Sequence, residues 1–236
     1  MSNSPLVEYV AISQNSNART SPIDRVTIHH VAGVTTIKAL GAVFAPGGRA
    51  GSSNYGIAND GKIGMFVEEH RRAWTSSNWR NDDRAITIEV SNSEKGGEWP
   101  VSEAAMESLI RLLVDICQRN PGIKRLNFTG DETGNMTMHK WYASTACPGP
   151  YLEKRHSWIA EEVNRRLDEL ENPKQEKQEE IEMRINTLEE VPGYAKETIE
   201  KLVSSGYLNG NGNGLNLSED MVRILVILDR ILKGEK

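Results

Sequence analysis

Cysteine is nearly missing. Cys117 and Cys147 are the only two in 236 residues, which excludes the disulfide framework of a small secreted domain. A surplus of basic charge is missing too. With 28 Lys and Arg against 33 Asp and Glu, the formal charge is −5, leaving no excess cations to displace counterions from nucleic acid or an anionic membrane. No apolar run reaches the ~18 to 20 residues of a membrane span, so membrane insertion is not expected. The opening stretch MSNSPLVEYVAISQ has neither the basic nor the apolar region of a secretory signal. Synthesis in a reducing cytoplasm is therefore the expectation, and action outside the cell would need a separate route of release.

The length suits one full domain and a small second one, since a single core serves roughly 100 to 200 residues. RVTIHHV at 25 to 31 alternates as a strand, with Val26 and Ile28 on one face and Thr27 and His29 on the other. SSNYGIANDGKIGMFVEE reads as a hairpin turning at Asn59-Asp60-Gly61, and ITIEV is a further strand in which Glu89 faces away from Ile86, Ile88 and Val90. Residues 102 to 119 form an amphipathic helix capped by Ser102 and stopped by Asn120-Pro121-Gly122. A second helix follows residue 150, with Leu152, Ile159, Val163 and Leu167 on its apolar side. Such a mixture predicts an α/β or α+β domain over residues 1 to 170.

Residues 171 to 184 are charged and read as a solvated linker. Residues 185 to 236 carry a helix around 194 to 204, a Gly/Asn turn at 209 to 214, and a helix from Ser218. So small a unit forms a marginal core alone, and oligomerisation or packing on a partner surface is expected of it.

In MHKWYASTACPGP, His139 and Cys147 stand eight residues apart. Two imidazoles and a thiolate can supply three ligands to Zn²⁺, leaving a fourth position for a water whose pKa falls to near 7. A neighbouring carboxylate can take the proton of that water and pass it to a leaving amine. His29, His139, Cys147 and Glu89 are the candidates, because strand alternation lets His29 and Glu89 share one polar face. By residue type alone each has a plainer reading: a hydrogen-bonded strand histidine, a solvent-facing glutamate, a small core cysteine. Cys117 belongs to the helix core, and His70 and His156 to surface or helix positions without partners in the pattern.

IHHVA, the SSNYGIANDG hairpin, RAW at 72 to 74, ITIEV and H-x7-CPG, in this order over roughly residues 20 to 160, resemble the type 2 N-acetylmuramoyl-L-alanine amidases, the family of phage endolysins and peptidoglycan recognition proteins. The resemblance implies an α/β fold with a central mixed β-sheet flanked by helices. It also implies a zinc hydrolase that cuts the amide between N-acetylmuramic acid and the L-alanine of the peptidoglycan stem. His29, His139 and Cys147 match the metal ligands, Glu89 the glutamate near the metal, and Tyr55 a tyrosine bordering the zinc water. Thr145 stands where phage enzymes often have lysine; its hydroxyl can donate to an oxyanion but brings no charge. Many members read AWHAG where this chain reads AWTSS, so Thr75 replaces a substrate-holding histidine.

The C-terminal segment resembles the end units of clostridial lysins and, more distantly, one S-layer-homology repeat, which implies a small helical module for wall binding or oligomerisation. The expectation is a phage or prophage endolysin of a Gram-positive host, made in the cytoplasm and acting on the wall after release. The rival expectations are a wall-binding receptor without turnover and a closed structural zinc site with His30 as fourth ligand. Adjacent strand residues point to opposite faces, which keeps His29 and His30 from meeting one ion.

Overall fold

The structure is a computed structural model and describes residues 3–45, 48, 50–171 and 184–234. By internal contacts the chain divides into two compact units, Met1–Leu170 and Glu171–Lys236. The charged stretch read as a linker lies, over 172–183, outside the described residues.

The first unit is built on eight strands: β1 (Tyr9–Val10), β2 (Ser16–Ala18), β3 (Arg25–His30), β4 (Tyr55–Ile57), β5 (Ile63–Met65), β6 (Arg71–Ala73), β7 (Ala85–Val90) and β8 (Met136–Met138). Six form one mixed sheet in the order β1-β5-β4-β7-β3-β8, and β2 pairs with β6 apart from it. Within the main sheet only the β4–β5 hairpin is antiparallel. The hairpin turns at Asn59–Gly61, where Gly61 takes a left-handed φ of 85° and a Cβ would meet the Ala104 carbonyl at 2.8 Å. The helices are α1 (Ile37–Val43), α2 (Trp79–Asp82), α3 (Glu103–Arg119), α4 (Pro150–Glu153) and α5 (His156–Glu171).

Alternation sorts the sheet into two unlike faces. Val26, Ile28, Ile86, Ile88 and Val90 join Leu109, Leu112, Leu113 and Ile116 of α3 in the main core, the burial that dominates folding free energy. Ser102 caps α3 by accepting from the Ala105 amide at 3.1 Å, and Cys117 lies in the core as its place on the apolar stripe requires. The opposite face carries Thr27, Thr87 and Thr137, each 0 % exposed.

His156, expected at a surface or helix position without partners, is a helix residue, but one that is buried and partnered. It is fully buried at the start of α5, against Phe128, and its Nδ1 lies 2.7 Å from the Leu152 carbonyl. Residues 156, 159, 160, 163 and 167 make one continuous apolar stripe, so the helical spacing does assign it inward. Burial pulls its pKa from 6.5 down to about 4. Because the folded state then binds fewer protons than the unfolded chain, stability should fall as pH drops from about 6.5 toward 4, by up to about 3 kcal/mol. Denaturant titrations across that window should show the slope in the native protein and lose it in His156→Leu.

In the second unit, helices Lys196–Ser204 and Glu219–Lys233 enclose a small core of Val191, Ala195, Ile199, Leu217, Val222 and Val226. Ser218 caps the last helix by accepting from the Met221 amide. No helix among the described residues is long and apolar enough to cross a membrane.

Candidate metal centre

Three neighbouring parallel strands, β7, β3 and β8, end side by side, and open α/β sheets bind ligands at the carboxyl ends of such strands. The register places His29 directly beside Glu89 and Ile28 beside Met138. His139 therefore begins where β8 stops, one step beyond the pair made with β3, and opens a short 3-10 turn, His139–Trp141. The chain folds back to bring Cys147 to the same point: the Lys140 amide donates to the Cys147 carbonyl at 3.0 Å, closing the loop between them.

As a result His29, His139 and Cys147 each offer a ligand atom, all within 4.8 Å of one another. Cys147 Sγ lies 3.4 Å from His29 Nδ1, and the two imidazole centroids are 4.9 Å apart at 58°. Tetrahedral zinc with Zn–N near 2.0 and Zn–S near 2.3 Å separates its N and S ligands by about 3.5 Å. The Sγ–Nδ1 distance matches that edge, and the donor set of two imidazoles and one thiol is one that zinc accepts. The site fits the ion.

His30 is not in this group. It sits edge-on to Trp99 at 5.4 Å and against Gly149, where a Cβ would fall 2.8 Å from His30 Nδ1. That close approach, together with a φ of 81°, explains the glycine of CPG. Burial lowers the His30 pKa.

Two of the three ligands, His139 and Cys147, line a cleft of about 220 Å³ whose walls also include Glu89, His30, Thr145, Thr75 and Trp74. Glu89 is half-buried and Thr145 exposed at the rim. The Thr145 Oγ1 accepts from the Cys147 amide at 3.2 Å, so its own proton is directed elsewhere. The Thr75 hydroxyl faces Ser52 O at 2.7 Å and Thr87 Oγ1 at 2.9 Å. It thus supports the floor of the cleft from the position where many members of the resembling family carry histidine.

Tyr55 is not at this site. Its register partner across β7 is Ile88, whereas Gly56 stands beside Glu89, so the tyrosine points to the α3 face. There it is 0 % exposed, donates its hydroxyl to Glu69 Oε1 at 2.6 Å, and accepts from the Ser4 amide at 2.9 Å. Arg119 in turn pairs with Glu69 at 2.7 Å. Burial first, then Glu69, push the phenol pKa upward. Tyr55→Phe should accordingly lower stability by about 1–3 kcal/mol, the cost of unpairing buried polar groups, while kcat per folded molecule stays within about twofold; paired denaturation and wall-digestion assays check both.

A threonine layer beneath the site was not anticipated. Thr27 and Thr137 hydroxyls meet at 2.8 Å, and Asn81 Nδ2 donates to Thr27 Oγ1 at 2.9 Å. Each threonine sits two residues before a site residue, giving T-x-H at 27, T-x-E at 87 and T-x-H at 137. With period two, that thrice-repeated pattern is the signal in the sequence for a polar, hydrogen-bonded floor.

Comparison with known proteins bears on this geometry. The sequence matches the family described as N-acetylmuramoyl-L-alanine amidase over residues 19–150, more than half of the chain. No curated protein matches it. Among solved structures it is similar to a selenomethionine derivative of AmpD, with 18% identity and TM-score 0.53 over 66% of this chain and 96% of that one. PlyL shows 14% identity and TM-score 0.52 over 68% and 97%. A mutant endolysin from Bacillus subtilis shows 14% and 0.50 over 64% and 96%. At such identities these structures speak for the mixed-sheet fold, and the family match over residues 19–150 speaks for the chemistry: the chain belongs to the N-acetylmuramoyl-L-alanine amidases.

Proposed function

We propose that this amidase is a zinc-dependent endolysin, of phage or prophage origin, which hydrolyses the bond between N-acetylmuramic acid and L-alanine in the wall of a Gram-positive host. The observation that carries the proposal is the convergence of His29, His139 and Cys147 donor atoms within 4.8 Å at the strand ends beside Glu89. These three side chains would hold the ion. The chemistry zinc supplies when bound is polarisation of the scissile carbonyl and a water acidified to a pKa near 7.

Glu89 takes the proton of the attacking water and hands it to the departing amine as the lactyl carbonyl gains oxygen and the C–N bond breaks. Its place at the end of β7, facing the cleft while Ile88 faces the core, fixes the carboxylate for both transfers. Thr145 donates its hydroxyl to the developing oxyanion from the rim. Trp74 and Phe44 line the same cleft and exclude water from the substrate. The second unit acts outside the chemistry, in wall retention or self-association.

Mass spectrometry of muropeptides released from purified wall, with metal analysis of the same protein, tests the proposal. New L-alanine amino termini and one zinc per chain are expected. Wall binding without new amino termini would mean a receptor, and cleavage at another bond a different hydrolase.

A further inference from the structure

The last helix, Glu219–Lys233, buries one face and leaves another uncovered. Val222 and Val226 enter the core of the second unit, whereas Met221, Ile224, Ile227, Leu228, Ile231 and Leu232 are 46–86 % exposed. That one helix shows solvent more large apolar side chains than the described residues of the unit bury in its core. Positions 221, 224, 228 and 231 repeat at the three-four spacing of a helix–helix seam, with 227 and 232 broadening it.

We infer that this face is a dimer seam, occupied by the same helix of a second copy running antiparallel. A two-fold axis at Val226 sets Met221 opposite Ile231 and Ile224 opposite Leu228, so every seam position meets another apolar one. The charges select the same direction. Glu219 and Asp220 occupy the first turn and Arg230 and Lys233 the last, so antiparallel pairing brings Glu219 to Lys233 and aligns the helix dipoles favourably. Parallel pairing would set acid on acid and base on base. A glycan is a poor occupant, because the seam positions offer neither hydrogen-bond donors nor an aromatic plane. The inference deepens the self-association reading of the second unit and is independent of the metal chemistry.

Sedimentation velocity on the full chain should give twice the 26.3 kDa chain mass. Leu228→Glu, half-exposed and outside the buried core, should raise the dimer dissociation constant at least about a hundredfold, since the change is felt twice per dimer. Glu219→Lys with Asp220→Lys, which alters no core residue, should weaken it about tenfold in the antiparallel arrangement, whereas in a parallel one like charge would only replace like charge and the affinity would stay the same. Trp158→Glu, at an exposed aromatic of the first unit, should change nothing. Zinc content and muropeptide release, measured on the same samples, should be unaffected, which separates failure here from failure of the amidase proposal. A monomer at every concentration, capture by anionic vesicles instead of self-association, or a dimer indifferent to Leu228→Glu would each overturn the inference.

Discussion

Glu89→Gln is expected to lower kcat for wall hydrolysis by about 10²–10⁴-fold, the usual contribution of a positioned general acid–base. Zinc content and thermal stability should hardly change. The reason lies in the register: Glu89 shares a rung with His29, but its side chain opens to the cleft and is half-buried rather than packed. The amide keeps the shape of the carboxylate while losing its basicity. Steady-state assays on purified wall, alongside metal analysis and a melting curve, separate this outcome from a folding defect. If instead zinc is lost, Glu89 holds the site together and the base is another group.

Cys147→Ala should act earlier in the chain of causes, by removing the ion itself. With one of three ligands gone, zinc should drop far below one per chain and hydrolysis should fall by more than about 10³-fold, because both the acidified water and carbonyl polarisation go with it. Cys117→Ala is the matched control. That thiol is buried among the α3 contacts on the other face of the sheet, and burial pushes its pKa up to about 12, so it is neither a thiolate nor near the ligands. Its loss should cost stability only, and the zinc count should stay at one.

The parts of the molecule governed by local rules were legible in the sequence. Ser102, the 3.6-residue spacing to Cys117, and the stop at Asn120-Pro121-Gly122 delimit α3, and alternation in ITIEV puts Glu89 opposite the isoleucines. Strand partners are a non-local property, and no periodicity states that β3 lies between β7 and β8. β8 is three residues long, too short to show alternation, and it is the strand that delivers His139. The ligand set thus rested on a family resemblance until the register supplied a physical reason for it. The same resemblance misled at Tyr55, where counting from Gly56, the neighbour of Glu89, gives the other face. For His156 the helix position is legible but the burial is less so: its residue type is compatible with a surface place, while its spacing from Ile159 and Val163 puts it on the buried stripe.

Cobalt substitution tests the metal centre most directly. Co²⁺ in place of Zn²⁺ should give an intense thiolate-to-metal charge-transfer band and tetrahedral ligand-field absorption, with one cobalt per chain. The charge-transfer band should vanish in Cys147→Ser and persist in Cys117→Ser. A cobalt spectrum without any thiolate band in the native protein, or one that disappears with Cys117 instead, would contradict a site built from His29, His139 and Cys147.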